Sequence, residues 1–85
     1  MAQRFAYRIC RVNHKRVAFV NGRWQGPKPL DESKELDAAD ERKALESCPL
    51  FWDYLQEAGA SGWELVAVTQ SPNNVVWLYL KQVLP

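Results

Sequence analysis

Residues 63–83 hold two consecutive strand-like tracts in which neither side is polar, and no other feature limits the chain as much. Trp63 to Gln70 sets Trp63, Leu65 and Ala67 on one side and Glu64, Val66 and Val68 on the other. Val75 to Val83 sets Val75, Trp77 and Tyr79 against Val76, Leu78 and Leu80. Successive side chains of a strand point to opposite faces, so a sheet built from these tracts needs something against each side. Ser71-Pro72-Asn73-Asn74 between them has the composition of a hairpin turn.

The N-terminal part reads as a second hairpin. Arg4 to Val12 alternates, with Phe5, Tyr7 and Ile9 opposite Arg4, Ala6, Arg8 and Cys10. Asn13-His14-Lys15 separates it from the β-prone run Arg16 to Val20. Asn21-Gly22 suits a type I′ turn, which allows a short extra strand over Arg23-Trp24-Gln25 before Gly26-Pro27-Lys28-Pro29 ends pairing. Residues 25–48 form a charged connector, with a short helix possible over Asp40 to Glu46. Pro49 marks a helix start, and Phe51, Tyr54, Leu55 and Ala58 then fall at i, i+3, i+4 and i+7 as one apolar stripe. Asp53, Gln56 and Glu57 face away, and Gly59 is the expected left-handed stop. The order β-β-α-β-β predicts an α+β domain: an antiparallel sheet of about four strands with one helix on one face.

The 85 residues suffice for one domain, whose size leaves it short of buried surface and in need of extra support. Cys10 and Cys48 are the only cysteines, and Met1-Ala2-Gln3-Arg4 is not followed by a signal-like apolar stretch, so a reducing, cytoplasmic setting is expected rather than a disulfide. With one histidine and no CxxC spacing, no metal site and no cofactor are expected. The longest apolar run, Val75 to Leu80, is far too short for a membrane helix. Oligomerisation is the remaining source of support.

Net charge is +1, yet it is unevenly spread. Residues 1–30 carry seven bases and no acid, and the rest carries four bases against ten acids. The basic half can hold an anion, or it can simply complement the acidic half. Catalytic readings are weak. Cys10 and His14 lack a third orienting group, and Asp53 and Glu57 belong to a solvated helix surface.

The segment Leu55-Gln56-Glu57-Ala58-Gly59-Ala60-Ser61-Gly62-Trp63-Glu64-Leu65-Val66-Ala67-Val68 resembles a widespread family of small bacterial domains of unknown function. That family is recognised by a helix ending L-x-x-x-G-x-x-G-W-E-L-V and a closing strand that ends in a basic residue, here Lys81. Arg16-Val17-Ala18-Phe19-Val20-Asn21-Gly22 is similar to a strand and turn of some members. The resemblance implies a fold and carries over no activity, cofactor or catalytic residue.

With the helix over Phe5, Tyr7, Ile9, Trp63, Leu65, Leu78 and Leu80, the other sheet face carries Arg4, Arg8, Cys10, Val66, Val68, Trp77 and Tyr79. Glu64, on that side, is expected to pair with a neighbouring-strand arginine such as Arg8. Aromatics with arginine are typical of interface centres. The expectation is therefore a non-enzymatic accessory or interaction domain that forms a homodimer through this face. The alternatives are a small anionic, nucleotide-like ligand held by Arg4, Arg8 or Arg11 with Trp77 or Tyr79 stacking, or a nucleic acid held by Arg4, Arg8 and the aromatics.

Overall fold

The computed structural model describes residues 2–27 and 38–85, with the backbone alone over 38–40. Its order is β1 (Phe5–Asn13), β2 (Arg16–Val20), β3 (Arg23–Trp24), α1 (Ala38–Glu46), α2 (Phe51–Ala60), β4 (Glu64–Gln70) and β5 (Val76–Val83). The strands form one antiparallel sheet in the order β3-β2-β1-β5-β4. The architecture is the expected α+β one, with five strands because the short Arg23–Trp24 strand forms. Of the connector expected over 25–48, residues 28–37 lie outside the described residues and the last part is α1. No described helix is long and apolar enough to cross a membrane.

Turn chemistry fixes both N-terminal hairpins. Asn21 and Gly22 have φ of 50° and 80°, as a type I′ turn requires, and join β2 to β3. Asn21 also finishes the ladder of β1 beyond the end of β2. Its backbone N–H donates to Ile9 O at 2.9 Å, and its Oδ1 accepts the Ile9 N–H at 2.9 Å. The β1–β2 turn uses the same left-handed region with no glycine, at His14 (φ 49°) and Lys15 (φ 64°).

α2 is fastened to β2 by backbone. Val17 N–H donates to Pro49 O at 2.8 Å, and Phe51 N–H donates to Lys15 O at 2.9 Å. Leu50 is thereby held extended, with ψ of 143°, so the helix begins at Phe51 and not at Pro49. Its other end also differs from expectation. Gly59 lies within the helix, and the left-handed stop is Gly62, with φ of 92°. Gly62 N–H donates to Gly59 O and Trp63 N–H donates to Ala58 O, each at 3.0 Å. This paired bonding is a Schellman close, and it brings Trp63 back over Ala58 toward the core.

The core lies between α2 and the middle of the sheet. Tyr54 and Ala58 share one buried cluster with Cys10 and Val12 of β1, Val17 of β2, and Leu78 and Leu80 of β5. Leu55, Trp63, Val20 and Val76 pack around it. On the far side of β5, all seven residues of β4 remain exposed.

The two glycines of the helix end should respond oppositely to alanine. Nothing lies within 4 Å of a Cβ placed on Gly59, so Gly59→Ala should stabilise the domain by about 0.5–1 kcal/mol through helix propensity. Gly62→Ala, at positive φ, should cost about 1–2 kcal/mol. Urea unfolding of both variants reads this, and equal effects would refute the assigned stop.

Candidate functional site

Residues directly opposite each other on antiparallel strands share a face, so the pairing register sorts the sheet into two sides. Arg8 pairs with Leu80, Cys10 with Leu78 and Val12 with Val76, which places these residues under α2. Phe5 pairs with Val83, Tyr7 with Lys81, Ile9 with Tyr79 and Arg11 with Trp77 on the side away from α2, called the open face below. Across β2, Arg11 pairs with Phe19, and Phe19 with Trp24. Six of the ten aromatic residues therefore lie on the open face: Phe5, Tyr7, Phe19, Trp24, Trp77 and Tyr79.

The face expected for β1 is thus reversed. Phe5, Tyr7 and Ile9 look outward, whereas Arg8 and Cys10 face the helix. Arg8 marked the outer side in the sequence, but the fold satisfies it inside. Its guanidinium lies 4.1 Å from the Trp63 ring centroid and donates to the Tyr54 hydroxyl at 3.1 Å. A cation held over an indole and bonded to a phenol is compatible with part-burial. Cys10 is fully buried. The two small side chains Ala6 and Cys10 also let α2 approach more closely than Phe5, Tyr7 and Ile9 could.

β4 was misassigned for another reason. Leu65 pairs with Leu80 and Val68 with Leu78, while Ala67 pairs with Tyr79, so the register slips by one residue at Val66. Such a bulge reverses side-chain parity. Leu65 and Val68 therefore share the helix side, and Val66 is the extra, exposed residue. Of the expected interface residues, Glu64, Trp77 and Tyr79 are together on the open face. Arg8, Cys10 and Val68 are on the opposite one. Arg4 precedes β1 and is exposed, its carbonyl accepting the Leu84 N–H at 2.8 Å. Glu64 approaches Lys81 at 4.0 Å, in place of the expected Arg8.

The open face is aromatic, and its cations lie against rings. The Arg11 guanidinium is 5.9 Å from the centroids of both Phe19 and Trp77, and its buried Nε has no hydrogen-bond partner. Lys81 Nζ lies 4.9 Å from the Phe5 centroid. Phe19 meets Trp24 edge-on at 5.5 Å, and Phe5 lies 6.4 Å from Tyr7. Tyr7, on the middle strand, is 63% exposed, beside exposed Ile9. Sequence reasoning offered Arg11 only as one of three arginines for an anionic ligand and left it out of the interface. The signal available was its odd position, shared with Phe5, Tyr7 and Ile9.

Among the described residues, no group of three or more His, Cys, Asp or Glu is placed to hold a metal ion. Cys10 is inside the core and His14 is exposed on the β1–β2 turn, so they do not form a pair. Burial raises the Cys10 thiol, partly opposed by its hydrogen bond with Tyr54 and by the charge of Arg8. Burial raises Cys48 as well, against the charge of Arg16. Tyr54 is raised by burial and by Cys10, with Arg8 opposing.

No protein-family model, no curated protein and no solved structure matches the chain.

The three raised groups set a direction for alkaline stability. The folded protein holds these protons to higher pH than the unfolded chain does. Stability is therefore intact below the ordinary thiol range and is lost as pH rises through the folded values. Urea midpoints should fall over that alkaline range, and both thiols should react with a disulfide reagent only on unfolding. A flat alkaline profile with fast native labelling would contradict the burial described.

Proposed function

We propose that this domain is a non-catalytic interaction module that pairs with a second copy of itself through the open sheet face. The observation that carries the reading is the gathering of Phe5, Tyr7, Phe19, Trp24, Trp77 and Tyr79 on the side of the sheet away from α2. The strands hold 31 residues in all, which at the usual rise and spacing cover roughly 490 Å² per face. Pairing two such faces buries on the order of 1,000 Å², near the lower limit for a specific interface. A twofold pairing presents the same patch from both copies, and the face carries both signs of charge in Glu64 and Lys81 for such a self-match.

The same geometry weighs against an anionic occupant of that face. The nucleic-acid reading relied on Arg4 and Arg8, and the nucleotide reading on Arg4, Arg8 or Arg11, beside Trp77 and Tyr79. Arg8 is instead engaged by Tyr54 and Trp63 beneath the helix. Arg16 donates to Cys48 O at 3.0 Å, near the start of α2. Arg11 and Lys81 remain, each already set against rings. Two cations beside a carboxylate make a poor phosphate track.

Light scattering or sedimentation across the micromolar range should show a dimer. Tyr7→Glu should weaken it at least ~30-fold, as for a central aromatic anchor, while changing monomer stability by less than about 0.5 kcal/mol. A monomer throughout would remove the proposal. Salt-sensitive retention of a mixed oligonucleotide, abolished by Arg11→Ala, would favour the nucleic-acid reading in its place.

A further inference from the structure

The opposite side of the sheet holds a second uncovered surface. Because α2 sits over β1, β2 and β5, a groove of about 560 Å³ remains between the helix and β4. Its walls are apolar: Phe51 and Leu55 from α2, Leu65 and Val68 from β4, and Val76 and Leu78 from β5. Val68 is 55% exposed there. From Leu65 to Gln70 the β4 wall runs roughly 16 Å at the usual strand rise.

One end of the groove is polar and lined by His14 and Lys15, which on their other side share a hollow with Arg16, Glu41, Arg42 and Glu46. The β1–β2 and β4–β5 turns lie at the same end of the sheet, since Val12 pairs with Val76. They bring His14 and Lys15 beside Asn73 and Asn74, and no Asp or Glu lines the groove. Asn13 lines it as well, and its buried Oδ1 has no hydrogen-bond partner.

The residues at this end are also costly for the backbone. Four described non-glycine residues have positive φ, and three of them, His14, Lys15 and Asn74, line the groove. At Asn21-Gly22 the chain meets the same turn requirement with the favoured pair. At His14-Lys15 it places two basic side chains where asparagine and glycine would be easier. Residues held in such conformations concentrate at ligand sites.

We infer that this groove binds a small amphiphile with an extended apolar tail and an anionic head, typified by a medium-chain carboxylate. The tail lies along Leu65 and Val68 under Phe51 and Leu55. The head sits at Lys15 and His14, with the amides of Asn73 and Asn74 as donors. This site is on the opposite side of the sheet from the surface proposed for pairing, and it does not depend on that pairing.

The test is a titration of isotope-labelled protein with octanoate, decanoate and decanol below their aggregation limits, followed by amide NMR shifts. Decanoate should saturate, moving amides of residues 13–15, 65–70 and 73–76 and leaving Tyr7 and Ile9 unmoved. It should bind about tenfold more tightly than octanoate, the effect of two buried methylenes. Lys15→Gly should weaken decanoate by about three- to fivefold, the size of one exposed ion pair, and leave decanol unchanged. The same variant should unfold at a higher temperature because it relieves the positive φ, so weaker binding cannot reflect a damaged fold. The inference is overturned by unsaturable binding, by shifts confined to the open face, or by equal Lys15→Gly effects on acid and alcohol. Groove shifts produced by concentrating the protein alone would overturn it too, by making a second copy the occupant.

Discussion

The structure depends on which side of β1 is turned toward α2. β1 is the middle strand, paired on both edges, so its choice of face passes through the register to β2 and β5. With Ala6, Cys10 and Val12 inward, Tyr54 and Ala58 can pack down on Val17, Leu78 and Leu80. The choice puts Arg8 beneath the helix as well, and its contacts with the Trp63 ring and the Tyr54 hydroxyl make that placement tolerable. Those contacts depend in turn on the Gly62 stop, which returns the chain so that Trp63 lies against the core. Burying Phe5, Tyr7 and Ile9 instead would hold the helix off the sheet and leave Arg8 without its ring and hydroxyl.

Elements governed by local chemistry were legible in the sequence. Asn21-Gly22 specified a I′ turn, the 51/54/55/58 stripe contained both buried residues of α2, Tyr54 and Ala58, and both strand pairs followed from their turns. What escaped local reading was set by pairing between distant segments. Gly59 is a plausible stop by composition, but the helix runs on until Gly62, where Trp63 can reach the core. The bulge at Val66 has no marker in a run of apolar residues, yet it moves Val68 from one side of the sheet to the other. On β1 both alternating sets are apolar enough to be buried. Polarity pointed to the wrong one because it counts Arg8 as a charge and takes no account of partners 46 and 55 residues away. The candidate surface was therefore legible as a kind, an uncovered aromatic face, and only partly as a set of residues.

These assignments explain how so small a domain shows two distinct apolar surfaces. A ten-residue helix packs over β1, β2 and β5 of a five-stranded sheet, and β4 at the edge extends past it. The core under α2 is built of small and medium side chains, Leu80, Val17, Cys10 and Cys48 being the largest fully buried ones. Apart from Tyr54 and the half-buried Trp63, the large aromatics of the sheet lie outside it, where Phe5, Phe19 and Trp77 meet cations and the Tyr79 hydroxyl meets that of Thr69. Burial of that kind is incomplete in a single copy, and a domain of about this size has little apolar surface to leave unused.

The edges of the sheet help decide how two copies would meet. At one edge β3 has only two residues and is followed by Gly26 and Pro27, which cannot extend a ladder far. At the other edge β4 is seven residues long and exposed, but the bulge at Val66 interrupts the regular hydrogen-bonding row that a second strand would need. Both edges thus carry devices that discourage strand addition. The open face carries fewer: Ile9 and Tyr79 face each other across β1 and β5, and Lys81, opposite Tyr7, is set against the Phe5 ring and approaches Glu64 at 4.0 Å. Protection of the edges with exposure of the face favours packing sheet against sheet over extending one sheet into the next.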